Sequence, residues 1–488
     1  MKLFVIGLDC AAPALLFGDE RLVHVRRLMD GGCYGRLESV VPPITIPAWR
    51  CMATSQDPGS LGVYGFRNRA DRSYGRLETV TSRSFRAPTI WDYLAMEGRR
   101  SVLIGVPPSF PPPRVNGIAV GCFMTPSVDE PYTHPPEVAA EIAALVGEYM
   151  VDVKGFRTDD KAWLRDQLFE MSRRQFAVVR HYAARGDWDY FQFVNIALDR
   201  VQHGFWRYMD AAHPDHEPGS PYGTVIADFY RHLDDEVGRL LELLDDDTAV
   251  LVVSDHGAQA LQGGFCVNEW LVQEGLLVLE EYPREVTPFA QLRVDWARTR
   301  VWSEGGYYAR VFFNVKGREP QGVIEPGEYD AFRADVRARF EATSGPDGRP
   351  LGTRAFEPER IYREVRNVAP DLIVHFGALD WRSVGGVGYG GRLHVRENDT
   401  GPDDCNHAQH GAFVLAAPNV PALGELQGAR LLDIAPTLME VGGYEVPETF
   451  QGRSLFGGAL AGGAAGAALS PEGEEVLRQR LAGLGYIA

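Results

Sequence analysis

The chain has no apolar run near the roughly 20 residues that a membrane-spanning helix requires, so no span is predicted. Its opening stretch, MKLFVIGLDC, has too short an apolar segment and no cleavage pattern for a secretory signal. That stretch ends at Asp9 and reads instead as the first strand of the fold. Cysteine is scarce, with six in 488 residues (Cys10, Cys33, Cys51, Cys122, Cys266 and Cys405) and no CxxC pair. Scattered thiols without a signal peptide argue against a disulfide framework and point to free, buried cysteines in a cytoplasmic protein. No cysteine sits where the sequence would suggest a thiolate metal site. Positive charge is also short: 49 basic residues stand against 66 acidic ones, a net charge of −17. That balance argues against a nucleic-acid-binding surface. Phosphate handling would then need a local positive site, and metal ions are the obvious device.

What is present is an ordinary globular composition, 45% hydrophobic and 24% charged. The length allows two or more domains, or one domain with insertions. KLFVIGLD reads as a strand, RLVHVRRLMDGG as a short helix ended by glycines, YGRLESVV as a strand, AWRCMAT as one or two helical turns and SVLIGV as a strand. This alternation predicts an α/β fold, a mostly parallel central sheet flanked by helices on both faces. The core is expected in three parts, 1–106, 188–269 and 401–456. A proline-rich and helical insertion separates the first two at 107–187, and a cap or insertion fills 270–400. A flexible tether and a last helix follow over 457–488. Helices are predicted near 136–148 and 160–185, and Ile226, Phe229, Tyr230, Leu233, Val237, Leu240 and Leu244 give 224–244 an amphipathic stripe.

Chemistry concentrates at strand ends. AVLVVSDHG is a buried strand that breaks into two metal-competent side chains, Asp255 and His256. Asp9 follows KLFVIGL, and Asp199 with His203 follows FVNIAL, one helical turn apart on a shared face. His407 or His410, in CNHAQHG, precedes the strand AFVLAA. Singly, each has a plain structural reading: a turn, a helix cap, an exposed pair, a loop histidine. Several such coincidences at strand ends are improbable by accident, and open α/β sheets bind ligands at those ends. Carboxylates with imidazoles suit zinc or manganese. PPITIPAW places Thr45 in a proline-bounded turn at a helix start. There its hydroxyl can coordinate a metal, lose its proton and attack phosphorus, while helix-start N–H groups hold the other oxygens.

Taken in order, VIGLD, ITIPAW, DRVQH, VVSDHG, KGREPQG, NHAQHG and DIAPTLMEVGGYEVPETFQGRSL resemble the alkaline phosphatase superfamily. The resemblance is greatest to its type I phosphodiesterase/nucleotide pyrophosphatase branch and the cytosolic bacterial phosphohydrolases related to it. It implies an alkaline-phosphatase-like fold and a hydrolase of phosphoric esters, phosphodiesterase or phosphomonoesterase, taking a small-molecule phosphate ester. It also implies two divalent metal ions, zinc before manganese. Asp9, Asp255, His256 and the Thr45 oxygen would surround one ion, and Asp199, His203 and His407 the other. His407 is preferred over His410 because it lies four residues before the glycine that starts the next strand, Gly411. Thr45 would be the nucleophile of a phosphothreonine intermediate, at a binuclear clamp with no need of an arginine-rich pocket. His410, Lys316 and Arg318 are substrate-binding candidates. One departure stands out: nucleotide pyrophosphatases usually carry an asparagine three residues after the nucleophile, and here that position is Ala48. A sulfatase is disfavoured because Thr45 is not convertible to formylglycine and the required arginine is absent, and a phosphomutase would normally use serine. A non-catalytic metal-binding relative would be expected to have lost a ligand. Oligomeric state is left open.

Overall fold

The computed structural model describes residues 1–396 and 400–457, with Leu460, Glu475 and Gln479. The tether and last helix expected over 457–488 thus fall almost wholly outside the described residues.

Strand Lys2–Leu8 is apolar on both faces because both faces are covered. Phe4, Ile6 and Leu8 pack into one core, Leu3 and Val5 into another. Continuous apolar strands of this kind suit a parallel sheet between two helical layers. Lys2–Leu8 lies inside a ten-stranded sheet, parallel to Tyr190–Asn195 on one side and to Thr248–Val253 on the other. Outward from Tyr190–Asn195 come Ser101–Ile104 and Gly117–Val120, both parallel, then Thr133–His134, antiparallel. Outward from Thr248–Val253, His410–Ala416 runs antiparallel, and Cys33–Glu38 is antiparallel to that strand in turn. Helices Lys161–Ala184, Ala197–Met209 and Val225–Leu241 build the first core. Thr45–Thr54, Ile90–Met96 and Ile434–Gly442 build the second.

This topology collects the chemistry at one edge. Gly7 is in register with Val253, and Leu8 with Asn195, so Asp9, Asp199 and Asp255 leave three adjacent parallel strands at the same end. The antiparallel His410–Ala416 begins where those strands finish, which returns His407 to them. Cys33–Glu38 runs parallel to the centre, so Thr45 emerges there too.

Segment 107–187, expected as an insertion, contributes Gly117–Val120 and Thr133–His134 to the main sheet. GIAV is too short, and too close behind the proline-rich stretch 107–113, to read as a strand from pattern alone. Most of 270–400 builds a separate core around Phe265, Trp302, Phe312 and Phe340. It includes the four-stranded antiparallel sheet Val301–Glu304, Ala309–Phe313, Leu372–His375 and Arg354–Phe356. The glycine cluster VGGVGYGG is a clasp: buried Glu269 accepts from the N–H groups of Gly388, Tyr389 and Gly391 at 3.0–3.3 Å. Among the described residues no helix is long and apolar enough to cross a membrane. The six cysteines are all buried and none is in a disulfide.

Candidate active site

Three carboxylates at this edge share one arrangement, with one oxygen anchored and the other presented inward. Trp49 Nε1 donates to Asp9 Oδ2 at 2.7 Å, Arg200 Nη1 to Asp199 Oδ2 at 2.6 Å, and the Cys10 N–H to Asp255 Oδ1 at 3.3 Å. The remaining oxygens, Asp9 Oδ1, Asp199 Oδ1 and Asp255 Oδ2, are buried without a hydrogen-bond partner. Leaving such acceptors unmatched costs about 1–3 kcal/mol each, more when charged.

The histidines repeat the arrangement. His203 Nδ1 donates to Asp403 Oδ1 at 2.5 Å, His407 Nδ1 to the Pro43 carbonyl at 2.9 Å, and His256 Nδ1 to the Gly257 carbonyl at 3.2 Å. Carboxylates and carbonyls only accept, so each Nδ1 carries a proton and each Nε2 is the ring atom turned inward. Those ring atoms meet the inward oxygens. His256 Nε2 is 3.1 Å from Asp255 Oδ2 and 3.8 Å from Asp9 Oδ1. Asp199 Oδ1 is 3.3 Å from His203 Nε2 and 3.6 Å from His407 Nε2. Acceptor facing acceptor is repulsive unless a cation stands between them. Among the described residues three groups lie close enough to hold one: Asp9/Asp255/His256, Asp199/His203/His407 with Cys10, and His203/Asp403/Cys405, the last already tied by the His203–Asp403 bond. The rings of His256 and His407 stack at 3.8 Å, joining the first two groups.

Electrostatics agree. Burial, then the negative Asp199, pushes Asp9 well above its usual range, and burial with Asp9 does the same to Asp255. Burial alone would raise Asp199, but His203 and His407 hold it well below. Burial opposes a charged His203, yet Asp403 keeps its proton affinity well up. Burial, then His407, pushes His256 well down.

Thr45 opens the helix Thr45–Thr54 after extended Ile44, and no side chain caps that helix. Its Oγ1 lies 3.3 Å from His256 Nε2, buried at the first group. Ala48, fully buried, offers no side-chain donor.

Seven expected residues are therefore brought together: Asp9, Thr45, Asp199, His203, Asp255, His256 and His407. Three are not. Lys316 is exposed and pairs with Glu325 at 2.6 Å. Arg318 is consumed by Asp371 at 2.7 and 2.9 Å, Glu319 at 2.9 Å and the Phe313 carbonyl at 2.8 Å. The KGREP segment is thus a structural clamp in the separate core of 270–400. His410 is half-buried, and its contribution is its carbonyl, packed against Gly257.

Other residues at the site escaped sequence reasoning. Trp49 was legible in principle, one helical turn beyond Thr45. Asp403 stands four residues before His407. Cys10 neighbours Asp9, and the scarcity argument missed it because only the fold carries its sulfur to Asp199, His203 and His407. Its backbone is left-handed (φ 67°), and burial, then Asp199, pushes its thiol well up, leaving it a donor to the Gly257 carbonyl at 3.4 Å. Tyr307 stacks on His407 at 4.2 Å, and nothing in its sequence neighbourhood signals that.

Fold and site together define the class, a phosphoester hydrolase of alkaline-phosphatase-like architecture. More particularly, the chain belongs to the type I phosphodiesterase/nucleotide pyrophosphatase family, whose model matches residues 3–412. No curated protein sequence is similar enough to match it. Among solved structures, phosphonoacetate hydrolase from Sinorhizobium meliloti 1021, in complex with phosphonoformate, is similar at 17% identity and a TM-score of 0.56, covering 90% of this chain and 95% of that one. Human ectonucleotide pyrophosphatase/phosphodiesterase 5 follows at 12% identity and TM-score 0.53, with coverage of 94% and 98%. The murine enzyme, as an inactive threonine-to-alanine variant in complex with AMP, gives 13% and 0.51, covering 92% and 96%. At these identities the likeness is one of fold.

Proposed function

We propose that the protein is a metal-dependent hydrolase of small phosphoric esters that works through a phosphothreonine intermediate at a binuclear site. The observation that carries this reading is the common orientation of six side chains. Asp9 Oδ1 and Asp255 Oδ2 face His256 Nε2, which lies 3.3 Å from Thr45 Oγ1, and Asp199, His203 and His407 turn their inward atoms toward one another. Carboxylate and imidazole donors favour zinc, with manganese second. Bound ions would supply the positive charge that lowers the Thr45 hydroxyl pKa and stabilises the departing oxygen.

The chain's own residues do the rest. Thr45 loses its proton, attacks phosphorus in line with the leaving oxygen and forms the phosphothreonine; water then hydrolyses that ester and restores the hydroxyl. With Ala48 in place of a side-chain donor, helix-start N–H groups hold the non-bridging oxygens. The inactive threonine-to-alanine murine variant supports a threonine in this role. We also place the core in 1–269 and 401–456, with 107–187 built into it rather than inserted, and a cap over 270–400; the six buried thiols support a cytoplasmic location. The test is a metal-reconstituted panel of aryl phosphate monoester, diester, phosphonate ester and sulfate. Turnover of a phosphorus ester is expected, and preference for sulfate would overturn the reading.

A further inference from the structure

Beside the site lies a cleft of about 200 Å³ whose lining includes Ile44, Arg67, Arg157, Tyr307, Arg310 and Arg382. Ile44 precedes Thr45, and Tyr307 stacks on His407, so the cleft opens onto the reacting centre. Four guanidinium groups converge there in a protein whose net charge is −17. Arg157 and Arg382 share Asp403, at 2.8 and 3.4 Å, while Asp403 also accepts from His203. Arg67, more than half exposed, has Glu304 at 3.8 Å. Arg310 is only 7% exposed and donates to the Arg67 carbonyl, with no carboxylate in ion-pair range among the described residues. A buried guanidinium without a counter-charge is costly to fold around, and planar guanidinium forks match oxyanions bidentately.

We infer that this cleft recognises a second anionic group on the substrate, a carboxylate or further phosphate set apart from the phosphorus that reacts. Arg310 and Arg67 are its specificity determinants. Arg157 and Arg382 lie between the cleft and Asp403, which orients His203. The inference rests on the phosphoester hydrolase reading for what the reacting group is, but binding tests it separately from turnover.

Calorimetry on the metal-loaded protein would compare 3-phosphonopropionate, propane-1,3-bisphosphonate and the singly headed propylphosphonate, none of which has a scissile ester. At least one doubly anionic probe should bind about tenfold tighter or more than propylphosphonate, and the tighter of the two identifies the anion. In Arg310→Gln that ratio should fall toward 1. Should Arg310→Gln not fold by circular dichroism, Arg67→Gln, at an exposed position, decides by the same fall. Equal binding of all three probes to the unaltered protein, or a ratio unmoved in every folded variant, would overturn the inference. A protein that discriminates the probes but hydrolyses no ester of the panel would sink the catalytic reading and leave this one standing. One that hydrolyses esters without discriminating would do the reverse.

Discussion

Thr45 Oγ1 sits 3.3 Å from His256 Nε2, at the group that Asp9 and Asp255 complete. Thr45→Ala removes one hydroxyl and no inward carboxylate or imidazole. It should lower kcat by about 10³-fold or more while metal content, read by elemental analysis, stays near that of the unaltered protein. Survival of activity would remove Thr45 from its role. Trp49→Phe addresses the anchoring instead. It strips the 2.7 Å donor from Asp9 Oδ2 and leaves a fully buried acceptor unmatched. Unfolding stability should drop by about 1–3 kcal/mol in denaturant titration, and metal affinity by about 10–100-fold by competition with a chelating dye.

At the scale of elements, the site depends on two chain segments approaching without side chains between them. A Cβ on Gly257 would lie 2.2 Å from the His410 carbonyl oxygen, and one on Gly411 would lie 2.5 Å from that of Ser254. These glycines let Gly257–Ala260 pair antiparallel with Cys405–Ala408, the register that sets His407 opposite Ala258. Gly257→Ala must push the two strands apart. Thermal unfolding should reveal a loss of about 1–3 kcal/mol, with activity falling further than stability because His256 and His407 move together. The DHG and QHG motifs are therefore partly packing devices, which explains why His410 reads as a candidate ligand and serves as spacing.

For the whole molecule, the metal-free state should be pH-sensitive in a defined direction. Asp9 and Asp255 are held well above the ordinary 3.8, and His203 well above 6.5. Groups with raised folded values bind more protons folded than unfolded, so their contribution is lost as pH rises through those values. His256 and His407, pushed down, act oppositely, but only below the ordinary 6.5, where the unfolded chain takes up their protons. Asp199, held well below 3.8, contributes stability that is lost only in stronger acid. Above about pH 7, of these site groups only the raised ones still change protonation. Chelator-treated protein should show a falling melting temperature across that range, and zinc should flatten the slope. A melting temperature that rises across it would contradict the electrostatic account.

How much of this was legible without a structure depended on locality. Strands such as KLFVIGL and AVLVV declare themselves because burial on both faces demands unbroken apolar runs, and the residues ending them are adjacent in sequence. Asp9, Asp255 and His256 were readable for that reason, as were Asp199 and His203 on one helical turn. Gly117–Val120 was missed because four apolar residues behind a proline-rich stretch carry no period. Lys316 and Arg318 misled because a charged loop looks alike whether it meets substrate or, as here, Glu325 for Lys316 and Asp371 with Glu319 for Arg318. The sequence by itself determined the alternation of strand and helix, the chemistry available at the strand ends and the nucleophile's turn. The tertiary structure alone decided which atom of each carboxylate and imidazole faces inward, and that Tyr307 and four arginines from separate segments meet beside Thr45. Such choices depend on contacts between residues far apart in the chain, and no local pattern encodes them.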